Sequence, residues 1–292
     1  MDQAQQLRNI IKQHNQVRST ARVITVTSGK GGVGKSNISV NLGLSLCKLG
    51  KRVVILDADF GFANVEVMLG IRPDYNLSDL MFHGRGLKEI ITKGPENLGF
   101  ISGGSGISEL SNISRPQIEY LTQKLYELDE IADIIIIDTG AGLSESVLEF
   151  VMASSEVLLV VTPEPTSITD AYALLKILNK KLDFSTEQTA IKMIANRVDT
   201  KEEAKHLYTK LNMVVEKFLT VKLDYLGGIP QDSNVTKAVM QQKPYSLLYP
   251  NSPSTKAVYD LANTLCDNVV EKSNTGKGIA QLFSNLLHMR LK

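Results

Sequence analysis

The chain is short of cysteine, of net charge and of long apolar runs, and each shortage closes off a class of protein. Its two cysteines, Cys47 and Cys266, stand alone with no CxxC spacing. That argues against a disulfide framework and against a zinc or iron–sulfur site within one chain, and it fits a reducing compartment. Lys and Arg number 32 against 31 Asp and Glu, so the surface as a whole is not the basic footprint of a nucleic-acid binder. No run of about 18 apolar residues is present to span a bilayer, and the opening MDQAQQLRNIIKQHNQ is too polar for a secretory signal. The expectation is a cytoplasmic protein. No repeat at solenoid periods is visible.

What is present is an ordinary globular composition, 43% apolar over 292 residues, enough for one main domain with a sizeable core. From Arg22 onward, short β-branched runs alternate with longer segments of helical period: VITVTS, then Asn37 to Leu49, then RVVILDAD. Such alternation predicts an α/β fold, a parallel sheet with helices on both faces. Further strands are expected at 97–103, 133–140, 156–163, 190–197 and 222–230, and helices at 116–128, 144–153, 167–181, 201–219, 233–241 and 254–270. IIII at 134–137 shows no alternation, as suits a strand buried on both faces. The composition changes at both ends. The expected organisation is a Gln- and Asn-rich leader (1–20), one domain (21–270), a polar linker (271–278) and an apolar-striped tail (279–292).

Residues 29–36, GKGGVGKS, fit G-x-x-x-x-G-K-[ST], with a strand pattern before and a helix pattern after. In such a loop the small residues Gly29, Gly31, Gly32, Val33 and Gly34 let backbone amides turn inward on phosphates at a helix N-terminus. Lys35 adds a point charge, and the Ser36 hydroxyl can ligate Mg2+. Lys30 is a second lysine that an ordinary phosphate loop does not need. One helix and one strand later come Asp57 and Asp59, two apart on an extended chain and so facing the same way. A further hydrophobic strand ends in Asp138 followed by TGAG, the arrangement of a metal-side carboxylate before a flexible turn. Ligands of open α/β sheets bind at this carboxyl edge.

KGGVGKS, VVILDADFGFANVEVMLG, IIIIDTGAG and VVTPEPTSITDAYALLKIL together resemble the MinD/ParA class of deviant Walker A ATPases, over about residues 22–265. The resemblance implies a three-layer P-loop NTPase fold, ATP and Mg2+, and a homodimer that forms with ATP. Lys30 would be the signature lysine that reaches the partner's phosphates, as an arginine finger does, so that hydrolysis waits for dimerisation. Asp59 would orient the attacking water, Asp57 and Asp138 would hold Mg2+ through its waters, and Asn64 would lie on the first switch. Asn37 would sit beside the loop, with Asn196, Pro230 and Asp232 at the adenine end.

The ends carry two more expectations. In the tail, Ile279, Leu282, Phe283, Leu286 and Leu287 share one helical face, flanked by Lys277, Arg290 and Lys292. That pattern suits an anionic membrane surface, with a helix docked on the domain or on a partner as the alternative. The leader string DQAQQLR resembles the DQAxxLR activator element of the flagellar-number regulators, the FlhG/YlxH branch of the MinD-like ATPases. By that resemblance Asp2, Gln3, Ala4, Leu7 and Arg8 would stimulate the signal-recognition-particle-type GTPase FlhF, with Gln3 reaching its active site, and flagellar C-ring proteins would be further partners. A MinD-type division-site selector shares the tail but generally begins almost at the phosphate-loop strand. A ParA-type partition ATPase would bind DNA nonspecifically, against which the near-neutral charge argues. Cluster carriers of this superfamily need paired cysteines, absent here, and a ligase using the same loop would need a second substrate pocket.

Overall fold

The computed structural model describes residues 21–59, 64–104, 124–181, 189–267 and residue 279. Eight strands form a single sheet: β1 (Arg22–Thr27), β2 (Val53–Ala58), β3 (Thr92–Lys93), β4 (Gly99–Ile101), β5 (Ile134–Thr139), β6 (Glu156–Val161), β7 (Ala190–Val198) and β8 (Leu223–Pro230), in spatial order β3-β4-β2-β5-β1-β6-β7-β8. All neighbours are parallel except the antiparallel pair β3–β4. The helices are α1 (Lys35–Lys48), α2 (Asn64–Leu69), α3 (Leu77–Phe82), α4 (Glu145–Ala153), α5 (Pro165–Lys180), α6 (Lys201–Phe218), α7 (Ser233–Met240) and α8 (Pro253–Asp267), with single turns at Leu87–Ile90, Leu128–Ile131 and Tyr245–Leu248.

The run of four isoleucines shows why the sheet is central. Ile134 and Ile136 join the cluster that α1 and α8 build with Ile38, Leu42 and Val258. Ile135 and Ile137 face the other way, with Leu56, Leu80 and Phe150. Successive strand residues point to opposite faces, so a strand covered on both sides must be apolar throughout. The second face continues under α4, α5 and α6, where Val147, Leu174 and Leu207 meet Val157, Leu159 and Met193. The result is the expected three layers, a mostly parallel sheet with helices on both faces.

Local chemistry sets the helix starts. The Ser144 hydroxyl caps α4 by accepting from the Val147 amide, and the Thr200 hydroxyl caps α6 from the Glu203 amide. Helix α1 alone among these begins at a glycine, Gly34, with no side-chain cap, so its first amides are left for another acceptor.

The sequence reading missed the two-residue strand β3 and the short helices α2 and α3, which lack enough residues to show a period. The strand expected at 97–103 narrows to Gly99–Ile101, because Pro95–Asn97 close a tight turn immediately before it. Only residues 124–128 of the helix expected at 116–128 are described: Lys124 and Leu125 are helical, turns follow at Tyr126 and Glu127, and Leu128 opens the Leu128–Ile131 turn of helix. Among the described residues no helix is long and apolar enough to cross a membrane.

Candidate functional site

Strand β1 lies between β5 and β6, and the chain leaves it towards β2 on one side before returning to β6 on the other. That reversal opens the sheet edge at the carboxyl end of β1, where α/β folds hold ligands. The loop Gly29–Ser36 occupies it. Gly29 abuts α5, since a Cβ there would lie 2.2 Å from the Asp170 backbone. Gly34 needs φ +99°, and a Cβ on it would meet the Asn196 amide nitrogen at 2.5 Å. Gly31 and Gly32 are exposed, Val33 is buried, and Ser36 and Asn37 are half-buried at the start of α1.

The two lysines of the loop have opposite surroundings. Lys35 is 7% exposed and faces the acids. Burial lowers its pKa, against the charges of Asp138 and Asp59, which raise it. Lys30 turns away: its ammonium donates to Glu164 and, at 2.7 Å, to Thr166 Oγ1, both at the start of α5. Neither partner was expected from the sequence, although both stand in VVTPEPTSITDAYALLKIL.

The acids converge through strand register. Asp57 on β2 stands directly beside Asp138 on β5. Burial and the neighbouring Asp138 charge push Asp57 up to about 7, even though the amides of Asp59 and Val65 donate to its carboxylate at 3.1 Å each. Burial pushes the fully enclosed Asp138 to about 6, while the Ser36 and Ser39 hydroxyls and Lys35 pull it down. Ser39 Oγ donates to Asp138 Oδ1 at 2.8 Å, and Oδ2 makes no hydrogen bond. Burial also raises Asp59, against Lys35 and against Asn64, whose amide donates to Asp59 Oδ2 at 2.8 Å. Three crowded carboxyls, one with an orphaned buried oxygen, together with an uncapped helix start, fit a hydrated divalent cation beside a polyphosphate. Of the residues expected in that role, Asp57 and Asp138 stand side by side in the sheet and the Ser36 hydroxyl lies against Asp138, with Asp59 nearby.

The opposite side of the loop opens into a cavity of about 390 Å³ lined by Asn37, Asn196, Pro230, Asp232, Val235 and Tyr245, among others. This unites the residues expected at the adenine end. Asn196 also donates to the Val33 carbonyl at 2.7 Å. Asp232 caps α7 by accepting from the Asn234 amide at 2.9 Å and ties it to α8 through the Ser254 amide at 3.3 Å. A larger cavity, about 560 Å³, follows β8 between α6 and α8. It touches neither the loop nor the acids, so the smaller one is the nucleotide candidate.

The two terminal motifs fare differently. Asp2, Gln3, Ala4, Leu7 and Arg8 lie outside the described residues, as do Leu282, Phe283, Leu286, Leu287 and the linker 271–278. Ile279 is described, and it does not face outward. It is fully buried in the cluster with Leu80, Ile135 and Phe150. An apolar side chain at the start of the tail thus takes the docked alternative, the nearest place to leave water.

A family model described as ParA, NUBPL iron-transfer P-loop NTPase, matches residues 19–266. Antiactivator FleN of Pseudomonas aeruginosa is 42% identical over 236 residues, covering 81% of this chain and 83% of that protein. Flagellum site-determining protein YlxH of Helicobacter pylori is 36% identical over 279 residues, covering 92% and 91%. Among solved structures, the MinD cell division protein of Aquifex aeolicus is 26% identical with a TM-score of 0.67, covering 87% of this chain and 100% of that one. The septum site-determining protein MinD of Pyrococcus horikoshii, complexed with Mg-ADP, shares the fold at a TM-score of 0.64 and 24% identity, covering 84% and 96%.

Proposed function

The chain belongs to the MinD/ParA family of P-loop ATPases, and from that premise we propose that it is a regulatory ATPase setting flagellar number and placement through an ATP-dependent dimer. ATP and Mg2+ supply the phosphoryl group and the divalent charge that offsets it. The loop amides and Lys35 hold the phosphates, Ser36 with Asp57 and Asp138 hold the cation side, and Asp59, steadied by Asn64, orients the attacking water.

One observation carries the dimer step. Lys30 sits in the phosphate loop, yet its ammonium is turned outward onto Glu164 and Thr166, while Lys35 alone faces the acids. A loop cation already directed at the surface is placed to serve a second copy's nucleotide. Turnover per chain should therefore rise with protein concentration. Lys30→Ala should abolish turnover while leaving ADP binding within about twofold, since its charge is not part of the inner site. A Lys30→Ala chain that still hydrolyses ATP would sink the in-trans mechanism.

Flagellar assignment draws on the similarity to YlxH, whose name states that role, and on the leader DQAQQLR. In this reading residues 1–20 form a helix that stimulates an FlhF-type GTPase, and C-ring proteins are further partners. The tail docks through Ile279 without ATP and is released to an anionic membrane surface with it, two tails per dimer binding far better than one. A peptide of residues 1–20 should raise the partner GTPase rate. No effect with Gln3 intact would favour the division-site alternative. The iron transfer in the family description finds no support in these cysteines, which are not paired in sequence.

A further inference from the structure

A phosphate loop can aim its amides inward only if its carbonyls are turned away, and a carbonyl so turned must find a donor. Four loop carbonyls have one. Ser28 Oγ donates to Lys30 O at 2.7 Å, the Arg197 guanidinium to Gly32 O at 2.8 Å, Asn196 Nδ2 to Val33 O at 2.7 Å and the Ile38 amide to Gly34 O at 3.0 Å. The first and last come from the loop's own surroundings in sequence. The middle two come from consecutive residues at the end of β7, more than 160 positions away.

Consecutive strand residues point to opposite faces, so two neighbours should not reach the same loop. Arg197 does so because its backbone leaves the strand conformation: its φ is +60°, in the left-handed region that residues with a Cβ rarely adopt. The departure lets Asn196 and Arg197 grip adjacent carbonyls from two directions. Arg197 is exposed and adds no core packing, and its left-handed conformation falls at a register irregularity of the β7–β8 pair between Asn196 and Val198, where the extra residue is free to turn towards the loop. Its charge also helps hold Glu164, the partner of Lys30, in the ionised form, behind the direct effects of Lys30 itself.

We propose that Arg197, which also lines the nucleotide cavity, is a positioning residue of the site, acting through Gly32 to hold the phosphate loop in its amide-inward form before nucleotide arrives. The proposal presupposes the ATPase reading, and it assigns the loop's preorganisation to a side chain outside the phosphate-loop motif. Losing a charge-assisted hydrogen bond from a preorganised loop should weaken ADP and ATP alike by about tenfold. KM should rise by a similar factor, with kcat at saturating ATP within about twofold, because bound phosphate then holds the loop itself.

The test is a fluorescent-ADP titration of the full chain with Mg2+ for the parent, Arg197→Ala, Arg197→Gly and Arg197→Lys, beside melting of each without nucleotide. Glycine relieves the left-handed conformation while removing the guanidinium. The expected result is a tenfold loss for both Ala and Gly, an intermediate loss for Lys, which lacks the planar fork, and no drop in melting temperature for Gly. Parent-like ADP affinity in Arg197→Gly overturns the proposal, whether or not Arg197→Ala is impaired, because any effect would then come from strain and not from the guanidinium. A fall in kcat with KM unchanged overturns it too. A parent chain that binds no ADP overturns the ATPase reading itself, which the same titration distinguishes.

Discussion

The two sides of the phosphate loop are built on opposite terms. On the β2–β5 side, Asp57, Asp59 and Asp138 are crowded together with carboxyls raised above their ordinary range, and Asp138 Oδ2 has no partner. On the β7–β8 side, polar groups are already satisfied: Asn196 and Arg197 hold loop carbonyls, and Asp232 accepts two amides that, despite burial, keep its carboxyl below the ordinary value. The first side carries crowding that a bound cation would relieve. The second is preformed. Binding of a Mg2+-nucleotide should accordingly relieve strain on one side and fill a ready-made cleft on the other.

Asp138→Asn should break the acid side with the largest effect. Turnover should fall by at least about 100-fold, since the cation's buried anchor loses its charge. Stability without Mg2+ should be unchanged or higher, because a buried like charge beside Asp57 is gone. A comparable Asp138→Asn chain that melts markedly lower without Mg2+ would show that the carboxylate is a structural partner and not a cation seat.

Proton uptake sharpens the same contrast. The folded-state values of Asp57, about 7, and Asp138, about 6, exceed the ordinary 3.8, so the folded chain holds more protons than the unfolded chain across that interval. The contribution of this pair to stability without cation then falls as pH rises from about 4 to about 7 and levels off above. Denaturant midpoints measured at about pH 5, 6 and 7.5 should decline in that order, and Mg2+ with ADP should flatten the decline. A rising series would remove the acid side's claim to be cation-dependent.

How much of this was legible beforehand follows the same division. Strand-end acids announce themselves, because a hydrophobic run ending in Asp is a local pattern: Asp57, Asp59 and Asp138 were each visible, and sheet register then placed Asp57 beside Asp138. The fold was equally visible, since the long helices carry their own period and the buried strands read as unbroken apolar runs. Arg197 was not, despite standing in the expected strand 190–197, because nothing in sequence marks a left-handed residue or a contact spanning more than 160 positions. Glu164 and Thr166 were missed for a related reason: a side-chain direction, that of Lys30, is not a property of spacing. Ile279 reads as one member of a surface stripe, and only packing shows it under the sheet.

The base side should yield the smallest effect, and that smallness is itself the test of preformation. Asp232 serves two ends: it caps α7 and ties that helix to the start of α8 through Ser254. Asp232→Ala should therefore cost about 1 kcal/mol of stability, the usual loss for a cap. Because Asn196, Pro230 and Tyr245 still line the cleft, affinity for ADP should fall by no more than about threefold. Chemical denaturation and an ADP titration on the same preparation separate the two quantities. If affinity falls far more than stability, Asp232 contacts the nucleotide directly and the base side is less preformed than its hydrogen bonds indicate. If stability falls and affinity holds, the cleft is a rigid wall, and the free energy available for changing the chain's state comes from the acid side alone.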